Sequence, residues 1–286
     1  MKEKKWLFYS ILTTLFWGVW GALIEIPEKN GFPATLGYSV WALTMIPCSL
    51  FALKKVNWKI QLDSRSIIYA GLVGLTGAGG QLLLFQALRF GPAYLVFPFI
   101  SLYPVLTIVL SVTILKERAS KRGWVGILFA LIAIFLLSFT TNATDSTDGW
   151  LWLLLAIMVF IAWGIQAFIM KKSNQFMDAE SIFFYMMITA IMLVPVAIYM
   201  TDFSLPINYG WDGPYLAFAI QILNAIGALS LVYAVRYGKA IIVVPMTSLA
   251  PVITIVLSLI IYGVMPQIHF TVGIVLAIIA IYLMAE

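Results

Sequence analysis

Residues 80–111 return, at a constant offset of 147, as residues 227–258, and 18 of those 32 pairs are identical. Matching apolar letters are cheap in a greasy chain. The other pairs are not: Arg89/Arg236, Gly91/Gly238, Pro98/Pro245, Ser101/Ser248, Pro104/Pro251, Thr107/Thr254 and Ser111/Ser258. A second echo, Trp17-Gly18 against Trp163-Gly164, runs at offset 146. The chain is therefore two copies of one unit, and any fold must build that unit twice.

The unit is written for lipid. The chain is 63% hydrophobic and 10% charged, with mean hydropathy +1.01, whereas a soluble surface needs about a quarter of residues charged. Ten stretches are long enough to span: about 6–24, 34–53, 66–88, 93–114, 122–139, 149–170, 181–200, 213–235, 240–262 and 267–285. They are continuously apolar, which reads as helix; barrel strands would alternate. They use most of the chain, so no water-soluble domain is expected. The first stretch follows Lys2, Lys4 and Lys5 but is too long for a signal peptide and lacks a small-x-small cleavage site, so it reads as a retained helix. Cys48 is alone, so neither an internal disulfide nor a thiol metal site is possible.

A net charge of +5 raises nucleic acid as a partner, but topology explains the cations better. Fifteen of the 17 fall at the N-terminus (Lys2, Lys4, Lys5) and in the even-numbered connections: Lys54, Lys55, Lys59, Arg65, then Lys116, Arg118, Lys121, Arg122, then Lys171, Lys172, then Arg236, Lys239. Only Lys29 and Arg89 fall on the other side. The positive-inside rule then puts both termini in the cytoplasm. Arg89-Phe90-Gly91 would lie outside and Arg236-Tyr237-Gly238 inside. Five helices per copy is odd, so residues 1–140 and 141–286 should insert with opposite orientations. Such a frame has two related shapes, one open to each side, which is the logic of alternating access.

The fourth and ninth stretches carry the strongest internal signal. Ser101, Pro104, Thr107 and Ser111 recur every three or four positions, and so do Ser248, Pro251, Thr254 and Ser258. Pro98 and Pro245 extend each stripe by a turn. Proline frees a carbonyl one turn back, and in lipid that carbonyl needs a partner or a wet cavity. The stripes suit a cavity wall or a kinked gate; ordinary helix packing through small polar residues is the plainer alternative. Trp17 and Trp163 lie well inside their spans, where an indole N–H needs a partner or a polar space. They read as cavity lining or as packed core. Gln81 and Gln86 on the third stretch, Gln166 on the sixth, and Gln221, Asn224 and Tyr233 on the eighth are further polar groups at depth. The third stretch also carries Gly71, Gly74, Gly77, Gly79 and Gly80, which permit close approach to a neighbour.

All twelve acids fall in loops, stubs or helix ends, and the one histidine, His269, sits near a helix end. Ion-coupled pumps keep an ionisable group at mid-depth. Its absence favours a neutral or zwitterionic solute moved down a gradient or by exchange. An intramembrane protease lacks a placed His, and a metal site lacks Cys and His ligands, so neither enzyme nor cofactor is expected.

These residues resemble the drug/metabolite transporter superfamily, EamA type. The resemblance rests on Phe16-Trp17-Gly18, the Arg-x-Gly turns before the fourth and ninth helices, their prolines, Glu117 within Leu115-Lys116-Glu117-Arg118, and Gly126 with Gly273. It implies an all-α polytopic membrane protein of ten transmembrane helices, two inverted five-helix repeats around a central cavity, with helices five and ten peripheral. Val264 stands opposite Glu117, so the second copy departs from the pattern by lacking its glutamate.

The expectation is a plasma-membrane metabolite transporter, of amino-acid-like solutes and working as an exporter, with the lipid bilayer and a small molecule as its partners. Its cavity candidates are Trp17, Gln81, Gln86, Ser101, Tyr103, Trp163, Gln166, Asn224, Tyr233 and Ser248, and its kink or gate candidates are Pro98, Pro104, Pro245 and Pro251. A sugar or drug transporter and a non-transporting scaffold are the alternatives.

Overall fold

The computed structural model describes residues 4–91, 93–138, 150–262 and 267–285. Lys2, Glu3, Asp145, Asp148, Val264 and Glu286 fall outside the described residues, as do the side chains of Pro98 and Ser258. Continuous apolar sequence has one good solution in lipid, because a helix satisfies its own backbone. Accordingly the described residues hold no strand. The helices are α1 (Lys5–Leu23), α2 (Glu25–Lys29), α3 (Ala34–Lys55), α4 (Ser64–Phe90), α5 (Ala93–Ile100), α6 (Tyr103–Thr113), α7 (Lys121–Ser138), α8 (Leu151–Ser173), α9 (Ala179–Met192), α10 (Val194–Tyr199), α11 (Leu216–Tyr237, after a π turn at Trp211–Tyr215), α12 (Ala240–Thr247), α13 (Ala250–Tyr262) and α14 (Ile268–Met284). Pairs such as α5/α6 and α12/α13 are single stretches broken once, so they reduce to ten. Seven of these are long and apolar enough to cross a membrane.

The burial pattern confirms which solvent the surface meets. On α1 the buried residues are Ser10, Thr13, Thr14, Gly18 and Ala22, while Phe8, Ile11 and Leu15 are exposed. On α7 the exposed stripe is Val125, Leu128, Ile132 and Phe135. Small and hydroxylated side chains face inward and large apolar ones outward, the reverse of a soluble helix.

The helices pack across the two copies. α1, from the first copy, lies against α11, α12 and α13 of the second. α8, from the second, lies against α4, α5 and α6 of the first. This makes two groups, α4–α6 with α8 and α11–α13 with α1. α3 and α9 bridge them, since α3 packs on both α11 and α9. α7 and α14 pack together, with Gly126 against Met284 and Gly273 against Leu137.

Polar contacts mark two ends of the bundle. On one, the Lys239 ammonium donates to the Arg118 carbonyl at 2.7 Å, Arg236 pairs with Asp178 at 3.2 Å, and Lys171 lies 3.8 Å from Glu117. We call this the basic face. On the other, Lys29 pairs with Glu25 at 2.8 Å, Asn208 donates to the Asn30 carbonyl at 2.9 Å, and the Thr35 and Thr201 hydroxyls meet at 2.7 Å.

Candidate functional site

Proline sets the centre of the molecule. Pro104 stands in the first turn of α6 and Pro251 in the first turn of α13, where a missing N–H costs nothing. The chain immediately before each proline cannot continue a regular helix. It tightens instead, with Leu102 N–H to Phe99 carbonyl (3.4 Å) and Val105 N–H to Leu102 carbonyl (2.9 Å). The second copy repeats this one for one: Leu249 to Met246 at 3.2 Å and Val252 to Leu249 at 3.0 Å. Both breaks therefore fall at the same repeat position. Pro245 lies inside α12 and is buried.

At the level of the breaks the two copies touch. The Ser248 and Tyr103 hydroxyls hydrogen-bond at 2.8 Å. Tyr103 also meets the Trp163 ring edge-on, with centroids 5.9 Å apart. Ala167, Ala240 and Val244 are buried around it. From there toward the basic face, α6 and α12 stay in contact; α5 and α13, running the other way, make no comparable contact among the described residues. Among the described residues the two broken helices thus pack on each other from the breaks toward the basic face, through α6 and α12.

The two deep tryptophans do one job twice. Trp17 donates its indole N–H to the Asn224 carbonyl at 3.3 Å, and Trp163 donates to the Gly77 carbonyl at 3.3 Å. A Cβ on Gly227 would fall 2.4 Å from Trp17 Cδ1, and one on Gly80 would fall 2.5 Å from Trp163 Nε1. Each ring therefore occupies the place a side chain on the facing helix would take. Both rings remain half-buried. Hydroxyls repeat the pattern: Thr107 donates to the Gly164 carbonyl at 2.8 Å and Thr254 to the Gly18 carbonyl at 2.9 Å. The Ser-Pro-Thr stripes thus serve packing at the threonines and contact between the copies at Tyr103 and Ser248.

The remaining candidates are scattered around this centre. Gln166 lies against Gly77, where a Cβ would meet its amide. Ser101 sits at the break of α5/α6, and Gln81 and Asn224 are half-buried on α4 and α11. Gln86 lines a different space, a lateral cavity of about 430 Å³ walled by α4 (Leu75, Gly79, Leu83), Ala162, and Leu193, Val196 and Met200. Tyr233 is at the basic face, where its hydroxyl donates to Glu180 at 2.6 Å and its ring stacks on Tyr9.

Sequence reasoning passed over two sets of residues. Trp20 donates its indole N–H to the Gln221 side-chain oxygen at 2.9 Å, and the Thr44 hydroxyl donates to the Gln221 carbonyl at 3.3 Å. Trp20 follows Trp17 by three positions, so helical spacing could have flagged it. Lys171 was read only as a topology signal, and Glu117 only as a motif residue of the resemblance whose counterpart is Val264. In the fold they are inward-facing, 9% and 17% exposed. Among the described residues no three His, Cys, Asp or Glu side chains gather to hold a metal.

A multi-pass helical membrane protein with this doubled, proline-broken frame belongs to a class with known members. The profile of the EamA-like transporter family matches residues 4–139 and again residues 150–285. The chain belongs to the EamA-like transporter family, a family of transporters rather than enzymes. Its relatives include "Protein LicB" of Haemophilus influenzae, 24% identical across 87% of this chain and 94% of that protein. The uncharacterized protein MJ1333.1 of Methanocaldococcus jannaschii is 33% identical over 46% of this chain but 95% of its own length. A probable 4-amino-4-deoxy-L-arabinose-phosphoundecaprenol flippase subunit ArnE of Hamiltonella defensa is 30% identical over 28% of this chain and 73% of that protein. A crystal structure sharing 16% identity superposes with a TM-score of 0.78, covering 98% of this chain and 97% of that one, so the fold is shared.

Proposed function

We propose that the chain spans the membrane ten times as two inverted repeats, residues 1–140 and 141–286, with both termini in the cytoplasm of a plasma membrane. It then carries a small neutral or zwitterionic metabolite outward by alternating access. One observation supports this above all: the broken helices touch at Tyr103 and Ser248, and from there α6 and α12 pack together toward the basic face, whereas α5 and α13 make no comparable contact among the described residues. If the basic face is cytoplasmic, this is the outward-open member of a pair of shapes, and exchanging the conformations of the two copies generates the inward-open member. Candidates for contacting solute are Trp17, Gln81, Ser101, Tyr103, Trp163, Gln166, Asn224 and Ser248, with the four prolines setting the hinges. Aromatic faces and amides without a fixed charge suit a solute that carries none, or carries both signs. Uptake of candidate metabolites by purified protein in proteoliposomes tests the reading. A thermal-shift screen narrows the solute first, since a ligand that binds only folded protein raises its melting point. No movement of any solute that shifts the melting point would overturn it.

The lateral cavity favours a second reading. Its wall is apolar apart from Thr76 and Gln86, and two of its lining residues, Leu75 and Val196, are exposed. An amphipathic solute could keep its tail there while its polar head crosses. Transport competed by a lipid-tailed analogue, and not by the head group alone, would select this reading.

A further inference from the structure

The turn between α11 and α12 is held at both ends by charge. The carboxylate of Glu117, just beyond α6, accepts the backbone N–H of Ile241 at 3.1 Å in the first turn of α12. The ammonium of Lys171, in the last turn of α8, donates to the carbonyls of Val235 (3.0 Å) and Gly238 (2.5 Å), at the end of α11. Each charge has the sign its helix end favours: negative at an N-terminus, positive at a C-terminus. The two also face each other at 3.8 Å. Both side chains belong to the α4–α6/α8 group, and both of their backbone partners belong to the α11–α13/α1 group. Each bond therefore crosses the line along which the basic face would have to open.

The equivalent line on the opposite face is not built this way. In the repeat register the counterpart of Glu117 is Val264, at offset 147, and that of Lys171 is Glu25, at offset 146. Valine cannot accept an amide N–H. Glutamate brings the wrong sign to the C-terminus of α4, and Glu25 is paired with Lys29 on its own helix instead. The opposite face could close on apolar contacts, but not on this pair of charges.

We propose that Glu117 and Lys171 form a one-sided latch that biases the two shapes toward the one closed at the basic face, so that the symmetric frame carries an asymmetric resting state. The proposal rests on the alternating-access reading. Solute movement would then require the latch to open and re-form in each cycle, and its strength would set the share of time spent open to the basic side.

Spin labels at Arg118 and Lys239, both exposed and on opposite sides of the line, in a Cys48→Ala background, report the width of the basic face. The native latch should give a dominant short distance. Glu117→Gln and Lys171→Met should each move the ratio of short to long distances toward the long by about tenfold, less than a fully buried pair would give because Lys171 is partly exposed. The double variant Glu25→Lys/Val264→Glu leaves the native pair intact and puts the two charges at the repeat-equivalent positions. It should move the ratio the same way, and it keeps the test open if the first two variants do not fold. An unchanged distribution in whichever variants purify as folded protein overturns the latch. Solute movement in proteoliposomes is measured separately on the native protein, so an unchanged distribution with transport intact rejects the latch alone, while absent transport rejects the underlying reading.

Discussion

Trp163 gives its indole N–H to the carbonyl of Gly77, one turn along α4 from the glycine at position 80 that makes room for its ring. Trp17 and Asn224 reproduce the bond in the other copy at the same length, 3.3 Å. A tryptophan buried in lipid must place its N–H, and a helix carbonyl exposed by a missing side chain is an available acceptor. Gly80→Ala and Gly227→Ala should therefore each lower stability by about 1–3 kcal/mol, the usual cost of overpacking. Gly71 and Gly79, whose Cβ would meet nothing within 4 Å, provide the control. Melting midpoints in detergent should fall for the first pair and hold or rise slightly for the second, since alanine is the better helix former; equal shifts across all four would mean that the rings do not set the spacing.

The threonine pair makes a smaller claim. Thr107→Val and Thr254→Val keep shape and remove a bond to the Gly164 or Gly18 carbonyl. Interhelical bonds in membranes are worth about 0.6 kcal/mol on average, so each variant should lose no more than about 1–2 kcal/mol. Because the two sites are related by the repeat but far apart in contacts, the double variant should be close to additive. Denaturation in mixed micelles checks both points.

How much of this was legible beforehand follows from which signals survive without coordinates. The repeat offered Pro98, Pro104, Pro245 and Pro251 as kinks, because proline acts on its own backbone; the breaks fall at Pro104 and Pro251, while Pro245 lies inside α12. It also paired Trp17 with Trp163. It could not say that each indole would reach across to the other copy's helix, because sequence separation carries no partner. The threonines of the stripes read equally as cavity or packing, and their bonds to Gly164 and Gly18 are packing contacts. Tyr233 shows the reverse difficulty. Its place on α11 suggested depth, but the helix runs to the basic face, so its hydroxyl reaches Glu180. Glu117 was singled out as a motif residue, but its partners were hidden; Lys171 was hidden by its position at a helix end, where charge is ordinary.

Asp63 offers a test of local folding outside the membrane. Its side chain accepts the Ser66 N–H at 3.0 Å as the N-cap of α4, and hydrogen bonding from the Ser66 hydroxyl, then from that N–H, holds its carboxyl below the usual range. A group whose folded pKa is depressed contributes stability that is present above its unfolded value and lost as pH falls through the folded one. The Asp63 contribution should therefore be intact at neutral pH and fade below about pH 4. Asp63→Asn keeps a capping oxygen without the charge. Its melting point should trail the native protein's at neutral pH and draw level in acid. A gap that stays constant down to about pH 3 would show that the charge contributes nothing.

Tyr103 and Ser248 carry the prediction nearest to function. Their hydroxyls hydrogen-bond at the breaks of the two broken helices, and the partners come from different copies. Tyr103→Phe and Ser248→Ala each remove that bond and little volume. If it only glued the fold, both variants would lose about 1 kcal/mol of stability and transport would follow expression. If it lies on the path between the two shapes, the rate of solute movement per folded molecule should change by more than the melting point does, in the same direction for both. The double variant should then match the single ones, since either substitution already breaks the bond. Initial rates in proteoliposomes, normalised to folded protein, decide between these. Full additivity of the two substitutions in the rate would show that each hydroxyl acts alone, and would remove this contact from the mechanism.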